Sequence, residues 1–288
     1  MDRRIEVPML RIDGRMPLDE QRVAAELLVD LATEPPDVDY RSQDAGGVPC
    51  LWAEPAGAGA GVVQYLHGGY AMCSLESHRR LAGHVARACG ARILLVGYRL
   101  APEHEFPAAV DDSVAVYRWL RASEHPPPAI ALAGESAGGG IVVATMLALR
   151  EAGVPLPAAA AVMSPWVDLT VSGASMTTNA TSDLFVHADG LRALAKHVIG
   201  DGDPRQPLAS PLFAELEGLP ELFIQVAGDE VLLDDARRLA DAARGAGVGV
   251  TYECIEGMQH AFQLAAGNLP ASDQALRRFG EFLRPKLG

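Results

Sequence analysis

The pentapeptide "GESAG", residues 134–138, places Ser136 between two glycines, directly after the apolar run "AIALAG" and directly before a helical pattern. In a G-x-S-x-G arrangement the serine occupies a strained strand-to-helix turn that lifts its hydroxyl out of the sheet, and small flanking residues avoid a clash. The bare pentapeptide also fits a glycine-rich junction with an incidental serine, so it has to be judged with its partners. A serine hydroxyl is a weak nucleophile until a neighbouring base takes its proton, which calls for a histidine and for an acid that orients it. His260 stands in "EGMQHAF", after the last strand pattern, and Asp229 and Glu230 stand in "VAGDEVLLDD", after the preceding one. The order serine, acid, histidine suits such a turn on a parallel sheet, and the chemistry would be attack on an acyl carbon. The other histidines compete poorly. His78 and His84 are placed on a surface helix, and His104, His125, His187 and His197 in loops or on polar helical faces, all without metal-ligand spacing.

Attack on an acyl carbon creates an oxyanion, which needs N–H donors already aimed at it. One would come from the residue after the nucleophile, Ala137, at a helix N-terminus whose dipole assists. Others would come from "VVQYLHGGYAM", residues 62–72, where an apolar strand runs into a histidine and two glycines. Gly68 and Gly69 would present N–H groups at a place where a side chain would block the substrate. A tight turn is the simpler reading of two glycines. A phosphate cradle is excluded because no G-K-[ST] or G-x-G-x-x-G follows, and "GAGAG" precedes its strand instead of following it.

The elements that must position these residues follow from periodicity. Strand patterns fall at about 38–40, 49–53, 62–66, 92–97, 129–134, 159–163, 221–227 and 250–255. Helical patterns fall at about 18–31, 78–89, 108–122, 136–151, 188–199, 232–244 and 271–287. The first two strands read as an antiparallel lead-in, and the rest alternate with helices, which predicts a single α/β unit with a largely parallel sheet. Such a sheet carries its functional groups on loops at the carboxyl ends of strands. After "SPWVDLT" a polar, irregular excursion interrupts the alternation before the helix at 188–199.

With 288 residues, 49% of them hydrophobic and 21% charged, the chain can bury a substantial core. Its formal charge of −13 repels phosphate backbones and anionic lipid heads, which argues against nucleic-acid or membrane-surface partners. The N-terminal "MDRRIEVPMLRIDGRMPLDEQ" has no apolar run of signal-peptide length, so a cytoplasmic protein is the expectation. Cys50, Cys73, Cys89 and Cys254 are scattered without a C-x-x-C pair and read as reduced, mostly buried thiols.

The segments "YLHGG", "YRLAPEHEFPAAVDD", "GESAGG", "SPWVDLT", "GDEVLLDDARRLA" and "GMQHAF" together resemble the bacterial hormone-sensitive-lipase branch of the α/β-hydrolase carboxylesterases, from residue 62 to the C-terminus. The resemblance implies an eight-stranded α/β-hydrolase fold with helices on its flanks and a small helical cap. The cap would be built from residues 1–45 and an excursion at about 170–210, with residues 46–288 forming the catalytic domain. It further implies a serine-histidine-acid triad, no cofactor or metal, a small acyl ester as substrate, and a homodimer. Laid over the family motif without a gap, "EVLLDD" puts Glu230 at the acid position, with Asp229 left as a loop residue. The family usually reads H-G-G-G where this chain reads "HGGYAMCS", as if one glycine were deleted and Cys73 replaced another. Weakened catalysis is one expectation; an inward shift of Tyr70 that compensates is the other. Tyr70, Trp166 and Phe185 are each read either as walls of a substrate pocket or as ordinary core packing. The activity expected is hydrolysis of short-chain acyl esters through an acyl-enzyme. The alternatives are an amide, lactone or thioester substrate, or a binding or accessory protein with little turnover.

Overall fold

Side chains of the strand "VVQYL" divide between two cores, Val62 and Leu66 in one and Val63 and Tyr65 in the other, as a fully buried central strand requires. The computed structural model describes residues 16–123 and 130–288. The sheet consists of β1 (Val38–Asp44), β2 (Pro49–Pro55), β3 (Val62–Leu66), β4 (Arg92–Val96), β5 (Ile130–Glu135), β6 (Ala160–Met163), β7 (Leu222–Ala227) and β8 (Val250–Ile255). Its order is β1-β2-β4-β3-β5-β6-β7-β8. β1 pairs antiparallel with β2 and β2 with β4, and every later pairing is parallel.

The helices are α1 (Leu18–Glu26), α2 (Leu75–Cys89), α3 (Ala108–Ala122), α4 (Ala137–Glu151), α5 (Ser175–Thr178), α6 (Ala188–Ile199), α7 (Leu233–Gly245) and α8 (Pro270–Leu287). α2 and α8 cover one sheet face through residues such as Leu81, Val85, Phe279 and Leu283, while α3, α4 and α7 pack on the other through Val116, Leu120, Ile141 and Leu239. The fold is therefore the α/β sheet with helices on both faces that the alternation predicts.

Several boundaries differ from the expectation. The helix expected at 18–31 ends as α1 at Glu26 and continues as a tighter 3-10 turn, Leu27–Leu31. α2 starts at Leu75 because Ser74 caps it: the Ser74 hydroxyl accepts the Ser77 amide and the Ser77 hydroxyl accepts the Ser74 amide. β1 is longer than the run at 38–40 because its "RSQD" half pairs with β2 while staying largely exposed. The short α5 lies in the excursion expected to be irregular. All four cysteines are free, with Cys50, Cys73 and Cys89 buried and Cys254 exposed. Among the described residues no helix is long and apolar enough to cross a membrane. His125 and residues 1–15 lie outside the described residues.

Candidate active site

Ser136 stands where β5 gives way to α4, at φ 53° and ψ −123°, a backbone region that residues with a Cβ seldom occupy. Both sides of its peptide are tied down. The Ser136 amide donates to the Met163 carbonyl at 2.9 Å, and the Trp166 amide donates to the Ser136 carbonyl at 2.9 Å. The flanking glycines are obligatory for space: a Cβ on Gly138 would lie 2.0 Å from the Leu66 carbonyl oxygen, and one on Gly134 would lie 2.7 Å from the Gly138 carbonyl. The turn thus seats α4 hard against the end of β3.

The loops after β5, β7 and β8 bring three predicted residues into a line. Ser136 Oγ lies 3.0 Å from His260 Nε2, and His260 Nδ1 lies 3.3 Å from Glu230 Oε1. Glu230 is fully buried, and its Oε2 accepts the Ser164 hydroxyl at 2.7 Å and the Ala227 amide at 3.1 Å. Ser164 also accepts the Ala261 amide at 3.2 Å, so one hydroxyl steadies both the acid and the histidine loop. Asp229 lines the same cavity as Ser136 and His260, its backbone bonds to Met258 and Ser182, and among the described residues no hydrogen bond or ion pair joins its carboxylate to His260. Burial disfavours the His260 imidazolium, but the Glu230 charge and hydrogen bond, with Asp183 and Glu135 adding to them, outweigh burial and hold its pKa above the usual 6.5.

The glycine loop differs from the expectation at Gly68. Its amide donates to Glu135 Oε1, so it is not a free oxyanion donor. Glu135 is buried and also accepts the Tyr65 hydroxyl at 3.0 Å and pairs with His78 Nε2 at 2.8 Å. His78, expected on a surface helix, is only 1% exposed because its face of α2 turns toward Glu135. Tyr98 closes the other side, stacking on His67 at 4.3 Å and donating to the His67 carbonyl at 2.8 Å. Burial, helped by the neighbouring His78, pushes the His67 pKa down to about 4, so that ring is neutral. The amides of Gly69 and Ala137 have no acceptor among the described residues; Ala137 directly follows Ser136, and Gly69 lines the same cavity as Ser136. Tyr70 turns inward, 6% exposed, with its ring edge against Trp166 at 5.9 Å.

A cavity of about 550 Å³ lies over Ser136 and His260. Its apolar walls include Leu28 and Leu31 after α1, Leu184 and Phe185 from the excursion, and Met258 and Phe262 from the histidine loop. Of the three residues read as possible pocket walls, Phe185 lines this cavity, whereas Tyr70 and Trp166 pair in the core because the glycine loop folds back on itself. The excursion is sewn to the site by polar contacts that the sequence reading missed. Asn179 donates to the carbonyls of Gly228 and Glu230, Asp183 accepts the Val231 amide, and Gln259 accepts the Leu184 amide. Their only signal was polar residues in a stretch with no hydrophobic period.

Such a line of groups can pass a proton from a serine hydroxyl to an imidazole and back while two backbone amides receive charge on a carbonyl oxygen. The family model described as alpha/beta hydrolase fold matches residues 63–264. The acetyl-hydrolase of Streptomyces hygroscopicus is 44% identical over 92% of this chain and 88% of its own length. An esterase of Acinetobacter venetianus is 32% identical over 91% of this chain and 87% of its own. A solved esterase of the bacterial hormone-sensitive lipase family superposes with a TM-score of 0.93 at 46% identity, over 95% of this chain and 93% of the other.

Proposed function

Since this chain belongs to the alpha/beta hydrolase fold family, among the carboxylic ester hydrolases of the bacterial hormone-sensitive-lipase branch, we propose that it cleaves short-chain acyl esters through a Ser136 acyl-enzyme. Ser136 Oγ attacks the ester carbonyl as His260 Nε2 takes its proton, and Glu230 stabilises the imidazolium. The carbonyl oxygen becomes an oxyanion facing the Gly69 and Ala137 amides. Collapse of the tetrahedral intermediate expels the alkoxide, protonated by His260, and leaves the acyl group on Ser136. Water, deprotonated by His260, then attacks the acyl-enzyme, and the carboxylic acid departs with the serine proton restored.

The observation that carries this reading is the line Ser136, His260, Glu230, with spacings of 3.0 and 3.3 Å, on the floor of an apolar cavity. A small acyl group is supported by the name of the Streptomyces relative, an acetyl-hydrolase. The competing reading, a hydrolase-fold pocket that binds without turnover, draws on the Gly68 amide being taken by Glu135. Hydrolysis of p-nitrophenyl esters from acetate to decanoate separates the two. Turnover should be greatest for the short chains and should vanish in Ser136→Ala. Inert wild-type protein, or activity that survives the substitution, would remove the proposal.

A further inference from the structure

The glycine loop is an awkward piece of backbone. Gly69 and Tyr70 follow one another at φ 82° and 28°, and the tyrosine has a Cβ that this region disfavours. A Cβ on Gly69 would run into Cys73 Sγ, so the loop is also crowded on its inner side. The Ala71 and Met72 amides both fold back onto the Gly69 carbonyl. Something outside the loop has to hold it.

One side chain does so from the far end of the chain. Arg22 of α1 donates from Nε to the Ala71 carbonyl at 2.8 Å and from Nη2 to the Ala101 carbonyl at 3.1 Å. Its two Nη atoms also clasp Glu103, at 2.7 and 2.6 Å. The Ala101 amide in turn donates to the Tyr70 carbonyl at 3.2 Å, so the guanidinium ties together two segments that already touch. Ala71 and Ala101 are buried, 0% and 3% exposed, and without Arg22 their carbonyls would have no donor among the described residues. A planar fork serves several acceptors at fixed angles, which a lysine ammonium cannot copy.

We propose that Arg22 is a positioning residue: it fixes the Ala71 end of the turn that aims the Gly69 amide, so that the placement of α1 and the shape of the oxyanion hole are set together. This rests on reading the loop as the oxyanion loop of an esterase. The lost contact lowers the barrier-crossing rate without weakening the apolar grip on the substrate, because the oxyanion exists only in the transition state.

The test compares Arg22→Ala, Arg22→Lys and Glu103→Gln by kcat and KM on p-nitrophenyl butyrate, and by inhibition with an alkylboronic acid, whose serine adduct is tetrahedral. Both Arg22 variants should lose roughly 10- to 100-fold in kcat, below the ~10²–10³ of an outright donor deletion. Their KM should stay within about threefold, and the boronate inhibition constant should rise by the same factor as kcat falls. Glu103→Gln, which leaves the Ala71 bond in place, should lose less than about threefold. The proposal is overturned if Arg22→Lys restores kcat, if KM changes while kcat holds, or if Glu103→Gln costs as much as Arg22→Ala. Should Arg22→Ala fail to fold, Arg22→Lys decides by the same criteria. Ser136→Ala, run alongside, keeps the two claims apart: activity surviving there defeats the esterase reading itself, whatever Arg22 does.

Discussion

In the proposed mechanism His260 has to be neutral to take a proton from Ser136, and its surroundings favour the charged form. Burial pulls its pKa down, yet the Glu230 carboxylate, with Asp183 and Glu135 adding to its effect, leaves that pKa above 6.5. kcat/KM should therefore rise as pH climbs through a value above 6.5 and be lost as pH drops below it. Glu230→Gln removes the charge that raises the pKa, so the acid limb should move to lower pH while the rate falls by about 10³–10⁴. A pH–rate profile of both proteins checks this, and a limb that does not move would show that Glu230 is not coupled to His260. The residue types and order of the proposed relay were readable in the sequence, and the register of the resembled family's motif pointed to Glu230, whose carboxylate the structure puts 3.3 Å from His260 Nδ1. Ser164 was not, because its bond to Glu230 spans 66 positions and a serine before "PW" carries no chemistry until β6 and β7 lie side by side.

At the scale of elements, the strand-turn-helix at Ser136 works because α4 starts in contact with β3, and Gly138 is where the two meet. A methyl there would sit 2.0 Å from the Leu66 carbonyl oxygen, closer than any rotamer change can relieve because the obstacle is backbone. Gly138→Ala should therefore destabilise the fold by about 3 kcal/mol or more, read as a lowered urea midpoint with unchanged slope. An unchanged midpoint would mean that α4 can retreat from β3 freely. The βα alternation was legible because buried parallel strands and amphipathic helices leave different periods. Element ends were less so. Ser74 and Ser77 form a capping box without the usual Glu, which hid the first turn of α2. His78 was misplaced for a related reason: a histidine on a mixed helix face looks solvated until its partner, Glu135, arrives from β5.

Across the whole molecule, the carboxyl ends of β3, β5, β6, β7 and β8 deliver in turn the glycine loop, Ser136, Ser164, Glu230 and His260 to one edge of the sheet. This convergence follows from a parallel sheet and could be anticipated from the strand order of the motifs. The walls around it could not, because α1 and the excursion meet the site through Arg22, Asn179, Asp183 and Gln259, contacts with no sequence period. Whether Ser136 is the nucleophile at this edge, as proposed, is tested most directly with diethyl p-nitrophenyl phosphate. Ser136 Oγ should displace p-nitrophenolate from phosphorus, with one equivalent released per chain, and peptide mass analysis should find the diethylphosphoryl group on Ser136 as esterase activity is lost. A protein that stays active and unlabelled, or that carries the label on Cys73 or another residue with Ser136 unmodified, would contradict the account.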